Sequence, residues 1–364
     1  MRALAAYGAA VALLAGLLAG CADDEPDAVP PVEPSLSSNA SPTESPSTIV
    51  SPAGDVIPTT ALLDWTSTGS NPEDEVVQGA EWSAEVTGNG AGAELTGPGE
   101  SRTIEAGKGR RIDDVLLDDE WLVVVAQDKQ ETRPAQATVL ELATGDSRDV
   151  TPEPAPGGQW AMYGGTLHYP TTGPQNTYCL AAFDLASGEG EVDYCAPPKH
   201  GFSNVVASST TTALMTFDDT RPVSCRTLAT LTDGVAEPVA DVPECTGWDI
   251  AATDTGAVWS VLPDEKQVEA GDFSASADGA TYHLGMGATG TLTPCGDSVY
   301  FARNGAGDEP AQLLHWTPDA TLEIAYAAPG NGPGFLGKPA CAGNVLTVSA
   351  FGAGGDEQVS AVAP

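Results

Sequence analysis

Histidine is the side chain best suited to moving a proton near neutral pH, and the chain has four, His168, His200, His283 and His315. No two of them stand at metal-ligand spacing. Three acidic pairs are the next candidates: Asp113-Asp114, Asp118-Asp119 and Asp218-Asp219. Calcium needs about six to eight oxygen ligands, and no EF-hand or nonapeptide calcium motif surrounds these pairs. At a turn, an aspartate accepts bonds from its own local backbone, so solvated turns are expected. Trp160 and Trp248-Asp249 stand at matching points before an inner strand of a repeat described below, where an aromatic serves either as a core plug between repeats or as a stacking platform on one face. The chain has no Gly-x-Ser-x-Gly elbow, Walker loop, His-Glu-x-x-His or Ser-x-x-Lys signature. No catalytic residue, metal ligand or cofactor site is therefore assigned.

Cysteine chemistry is more informative. The seven cysteines are Cys21, Cys179, Cys195, Cys225, Cys245, Cys295 and Cys341. No Cys-x-x-Cys pair occurs, which disfavours a thioredoxin-like site or a zinc knuckle. Setting Cys21 aside leaves an even number, as expected of disulfides in an exported chain.

These residues are carried by a recurring unit. Its clearest marker is a very apolar strand: Trp121–Ala126, Thr212–Phe217, Ala257–Leu262, Ser298–Ala302 and Asn344–Val348, with weaker members at Thr166–Tyr169 and Glu81–Val86. Their starts lie about 39 to 46 residues apart, the spacing of propeller blades. The second marker is an alternating strand entering a turn, as in Val139–Gly145, Ala182–Gly188, Leu228–Gly234, Phe273–Gly279 and Leu314–Asp319. Alternation into a glycine turn is a hairpin signal. No segment from 59 to 364 holds a helical period over three turns, and 41 Gly with 29 Pro punctuate the whole chain. The expected fold is all-β, a propeller of four-stranded blades. Seven blades are favoured, and six follow if residues 81–106 merely complete the last one. The last repeat lacks an outer strand, which Thr59–Trp65 is expected to supply from the N-terminal side.

The form Phe183-Asp184-Leu185-Ala186-Ser187-Gly188 resembles the repeat of quinoprotein-like (PQQ-like) β-propellers, where it closes the outer hairpin. That resemblance implies the same blade architecture. The Trp usual after the turn is absent here.

The cysteines agree with the repeat. Cys179 begins an alternating strand and Cys195 ends the strand after its turn, while Cys225 and Cys245 take the same places in the next repeat. Cys295 and Cys341 each precede an apolar strand. The expected pairs are Cys179–Cys195, Cys225–Cys245 and Cys295–Cys341, the last joining innermost strands of adjacent blades.

The chain opens with Met1-Arg2 and runs apolar to Ala19. Leu17-Leu18-Ala19-Gly20-Cys21 resembles the lipobox of bacterial lipoproteins. The resemblance implies a signal peptide over 1–20, a diacylglyceryl anchor with acyl chains such as palmitate on Cys21, and the extracytoplasmic face of the cell membrane. Residues 21–58 are rich in Pro and Ser and poor in apolar side chains, so they are expected to form a disordered tether below a propeller over 59–364. The formal net charge of −37, from 51 acidic and 14 basic residues, disfavours nucleic acid and direct docking on anionic lipid. The expected function is a lipid-anchored, non-enzymatic binding or scaffold module for a protein, peptide or glycan ligand. The alternative is a metal-dependent hydrolase or lactonase-like enzyme with its site at the channel mouth.

Overall fold

The structure, a computed structural model, describes residues 54–221, 225–262, 266 and 268–364. The expected signal peptide, Cys21 and nearly all of the tether lie outside the described residues. Among the described residues no helix is long and apolar enough to cross a membrane.

Seven antiparallel sheets follow one another along the chain. Blade 1 runs over Val76–Glu105, blade 2 over Arg110–Asp149, blade 3 over Ala161–Cys195 and blade 4 over His200–Pro238. Blade 5 covers Gly247–Ala288, blade 6 Thr293–Ala327 and blade 7 Phe335–Val362. Residues 76–105 thus form a blade of their own, which settles the count at seven.

Position within the blade explains the residue pattern. The second strand of blade 2, Trp121–Asp128, is buried at all eight positions, because neighbouring blades cover both of its faces. The third strand of blade 5, Ala270–Ala277, alternates half-buried and buried. The outer strand of blade 1, Glu100–Glu105, is almost wholly exposed. The hairpin glycines Gly145, Gly188, Gly234 and Gly279 have φ of +75°, +74°, +75° and +77°, a region that residues with a Cβ enter only at a cost.

The core lies between sheets and not within any one of them. Val123, Val125 and Trp160 join blades 2 and 3 in one buried cluster with Tyr169 and Phe183. Phe273 of blade 5 stacks on Phe301 of blade 6 with ring centroids 4.4 Å apart. A Cβ at Gly287 would lie 2.8 Å from the Phe273 ring, so only glycine lets that outer strand approach the pair.

The N-terminal segment straps three blades from outside. Gly54–Asp55 pairs in parallel with Tyr282–His283, and Thr59–Thr60 with Glu323–Ile324. Thr66–Ser67 then pairs antiparallel with Val359–Ser360 as the outer strand of blade 7. Ring closure from the N-terminal side is as expected, but by the two residues following Thr59–Trp65. The reason is Trp65, whose indole N–H donates to the Ala325 carbonyl at 2.7 Å and whose ring meets Tyr326 edge-on at 5.2 Å. These contacts hold it on blade 6.

All three expected cysteine pairs are disulfides. Cys179 and Cys195 face each other directly across the third and outer strands of blade 3. Cys245, by contrast, lies beyond the outer strand Val235–Pro238, in the connection to blade 5. Pro238 and Pro243 lack the N–H groups that would extend that strand. Cys295 and Cys341 join the inner strands of blades 6 and 7.

Two predictions concern the strap. Trp65→Ala loses the indole bond and the edge contact, and is expected to cost about 2–3 kcal/mol in urea unfolding. Trp65→Phe should recover more than half of that. His283 lies between Asp272 (2.7 Å from Nε2) and Asp55 of the strap (3.0 Å from Nδ1). Burial on its own would lower the imidazole's affinity for a proton, but the two carboxylates outweigh it, and its pKa is raised from 6.5. A raised histidine adds stability that is full below 6.5 and is lost as pH rises through the higher folded value. The Tm difference between wild type and His283→Gln should therefore be larger at pH 6 than at pH 9. An equal difference at both would remove the charge from the strap's attachment.

Candidate functional site

A propeller gathers chemistry at the axis, where inner strands from every blade converge. At one matching place in the repeat stand Asp114, Trp160, Asn204 and Asp249, spaced by 46, 44 and 45 residues. Three of the four are polar, and each of those three lies at or beside an irregular step in the ladder: between Ile112 and Asp114, Ser203 and Val206, and Gly247 and Ile250. A bulge of this kind turns a side chain out of the ordinary alternation. Asn204 has φ of +50°, a left-handed conformation that asparagine tolerates best among residues with a Cβ.

Each polar member reaches the next blade. Asp114 accepts from the Trp160 backbone N–H, and the Asn204 amide donates to the Trp248 carbonyl at 2.6 Å. Asp249 accepts from the Gly290 N–H of the connection to blade 6 at 3.0 Å, and from the Ser260 hydroxyl of its own blade at 2.9 Å. Thr293 of blade 6 donates to the Pro339 carbonyl of blade 7 at 3.0 Å, and Thr347 of blade 7 accepts from Gln78 N–H of blade 1 at 3.1 Å. The axis is a belt of ties between blades.

Charge accompanies the belt. Burial raises the Asp114 carboxyl to about 6, with Glu75 and Asp113 adding to the rise and the Lys338 ammonium opposing it. Burial likewise raises Glu75 and Asp249, and Lys338 again pulls each downward. One cation from blade 7 thus compensates carboxylates of blades 1, 2 and 5.

As a metal centre this arrangement falls short. Among the described residues, the one trio whose ligand atoms lie within 4.8 Å of one another is Cys225, Glu244 and Cys245, and its two sulfurs are bonded to each other. The axial carboxylates do not gather around a common point in that way.

The remaining sequence candidates are placed singly. Asp118 accepts from Glu120 and Trp121 N–H at 2.8 and 2.7 Å, and Asp218 from Thr220 at 2.8 Å, the turn roles expected of them. Trp160 is buried and stacked on Tyr169 at 4.7 Å, a plug between blades. Trp248 lies under the Arg226 guanidinium at 4.8 Å. His315 is buried against the Tyr300 ring, 4.5 Å between centroids, and burial lowers its pKa. His200 Nδ1 is 3.0 Å from the Pro198 carbonyl. His168 Nε2 is 3.1 Å from the Thr212 hydroxyl of the next blade, but Nδ1 has no hydrogen-bond partner among the described residues. A hydroxyl–imidazole pair with nothing to orient the ring lacks the third member of an activated nucleophile.

Two clefts open on the disc faces, at opposite ends of the strands. The first, about 540 Å³, lies between blades 6 and 7 on the face of the loops that follow the second strands. Phe335, stacked on Phe351 at 4.6 Å, lines it and is still 52% exposed. Gly305, Gly334, Gly352 and Asp356 line it too. Gly334 has no room for a side chain, since a Cβ there would stand 2.7 Å from the Phe351 carbonyl oxygen. The second, about 480 Å³, lies between blades 3 and 4 on the other face.

No protein-family model matches the chain, and no curated protein matches it in sequence. Solved structures do match in fold. The β-propeller domain of the Trilobed protease from Pyrococcus furiosus, described as having an open velcro topology, superposes with a TM-score of 0.55 at 11% identity, over 79% of this chain and 95% of that one. A structure from a study of two prolyl endopeptidases gives 0.52 at 14% identity, over 82% of this chain. This chain spans about half the length of that protein, 47%. At such identities the likeness shows a shared propeller fold and nothing further.

A carboxyl raised by burial is protonated in the folded state at pH values where the unfolded state has already lost the proton. Its contribution is present below 3.8 and is lost as pH rises through about 6. Stability is expected to fall between pH 5 and 8 by about 1–2 kcal/mol from this group. Asp114→Asn keeps an acceptor for Trp160 and should flatten that slope in urea unfolding. Lys338→Met should steepen it; an unchanged slope in both variants would remove Asp114 as its source.

Proposed function

We propose that this chain is a lipid-anchored propeller on the extracytoplasmic face of the membrane. It binds a protein, peptide or glycan ligand through its disc face, as a cell-surface scaffold or accessory subunit. The observation that carries the reading is the Phe335–Phe351 stack, half open to solvent in a glycine-lined cleft. An aromatic held rigid loses little side-chain entropy on binding and offers large contact area, which is why such residues anchor interfaces. Close glycine backbone leaves the ring faces and peptide groups accessible together. The leader ending in Leu17-Leu18-Ala19-Gly20-Cys21 supports the location.

Two measurements test this. Cys21→Ser should move the protein from the membrane fraction to the soluble exported fraction. A photocrosslinking residue at Ala353, beside the stack, should give a discrete adduct on intact cells, and Phe335→Ala should lower its yield at least tenfold with circular dichroism unchanged. Adducts of equal yield from Thr103 on the exposed outer strand of blade 1 would sink the cleft as the binding face. Stoichiometric metal retained by the purified full chain would move the reading to the metal-dependent hydrolase.

A further inference from the structure

The cleft between blades 3 and 4 is built from turns of both. Tyr163 and Gly164 come from the first turn of blade 3, and Ser208, Ser209 and Thr210 from the first turn of blade 4. Asp193 of the blade 3 outer strand and Asp233 of the last hairpin of blade 4 supply its carboxylates. Its volume of about 480 Å³ falls in the usual small-ligand range of roughly 300–1,000 Å³.

Its hydrogen-bonding character is one-sided. The Ser208 hydroxyl donates to the Thr211 carbonyl at 3.0 Å, and the Thr211 hydroxyl donates to the Leu231 carbonyl. Ser209 and Thr210 both donate to Asp254, at 3.2 and 2.7 Å. With those protons committed, the hydroxyls turn only lone pairs toward the cleft. Asp193 and Asp233 are acceptors alone when ionised. Among the described residues no lysine or arginine lines the cleft, and burial lowers the pKa of His168 against the pull of Asp193, which disfavours a charged ring. Apart from the hydroxyls of Tyr163, Thr166 and Thr212, the side chains of the lining accept, carry negative charge, and include one exposed aromatic face, Tyr163 at 37%.

The complement of such a surface is a compact positive group with several N–H donors and an apolar stem. A neutral polyol would leave the two carboxylates without a counter-charge, and an anion is repelled. We infer that the cleft between blades 3 and 4 receives the ammonium or guanidinium end of a basic side chain of a polypeptide, with the stem across Tyr163 and the charged end between Asp193 and Asp233. Cation–π contact with Tyr163 and charge-assisted bonds to the carboxylates would act together. The site is on the opposite face from the aromatic cleft and stands or falls separately from it.

The test is titration of the full chain with acetyl-Gly-Lys-Gly-amide and acetyl-Gly-Arg-Gly-amide, followed by amide chemical shifts. Saturable changes are expected at Gly164, Thr210 and Gly234. The double variant Asp193→Asn, Asp233→Asn should weaken binding at least tenfold, and Tyr163→Leu at least threefold. Asparagine accepts the left-handed backbone of Asp233, φ +49°, so the turn is kept. The control Asp278→Asn, Asp319→Asn removes equal charge from the corresponding hairpins of blades 5 and 6 and should stay within twofold of wild type, as should Phe335→Ala. The inference is overturned by non-saturable changes spread over the acidic surface, by undiminished binding in the first double variant, or by equal binding of acetyl-Gly-Gln-Gly-amide.

Discussion

No blade of this protein can exclude water on its own. A four-stranded sheet with an inner face and an outer face that are both apolar needs a neighbour on each side, and the buried clusters accordingly straddle the seams, blade 2 with 3, 5 with 6, 6 with 7. Hydrophobic burial therefore stabilises the ring only as a closed object. A gap at any seam exposes two faces together.

That constraint accounts for the redundancy of closure. The chain carries a large excess of negative charge, and self-repulsion favours expansion. Against it stand a strap bound to three successive blades, a disulfide from blade 6 to blade 7, and the axial ties between blades. The disulfide acts on the unfolded chain as well, since it closes the longest of the three loops, 46 residues apart in sequence. Lys338 has a similar economy: one cation near the axis tempers three acids, of which Asp249 is buried and Asp114 half-buried, that would otherwise oppose the approach of blades 1, 2 and 5.

Much of this is legible in the sequence, for a definite reason. Burial on both faces makes the second strand of a blade unusually apolar, so Trp121–Ala126 and its counterparts stand out, and left-handed hairpin turns demand glycine at Gly145, Gly188, Gly234 and Gly279. Disulfide pairing followed because the cysteines ride on that repeat; the position of Cys245 did not, because prolines ended its strand early. The axial belt was missed. Asp114 was read as half of an acidic turn pair and Asn204 was not singled out, since a bulge displaces a side chain without leaving a mark in local alternation. The one available signal was the near-constant spacing of Asp114, Trp160, Asn204 and Asp249, three of them polar residues within an inner strand. The face clefts leave still less trace. Tyr163 and Asp233 are ordinary turn residues until the ring brings blade 3 against blade 4.

The same geometry leaves residues on the faces freer to change than those at the axis. A side chain that holds a seam is committed: moving Asp249 to a ligand would strand the Gly290 N–H and the Ser260 hydroxyl, at a cost of about 1–3 kcal/mol for each buried group left unpaired. Turn residues at the disc faces bear no such load, because the strands behind them are already fixed by burial. Tyr163 and Asp233 can vary in identity without opening a seam, while their backbones stay as rigid as the blades that carry them. A closed ring thus separates the two demands on the sequence, with polar groups at the axis spent on cohesion and those at the rims of the clefts left free for contact.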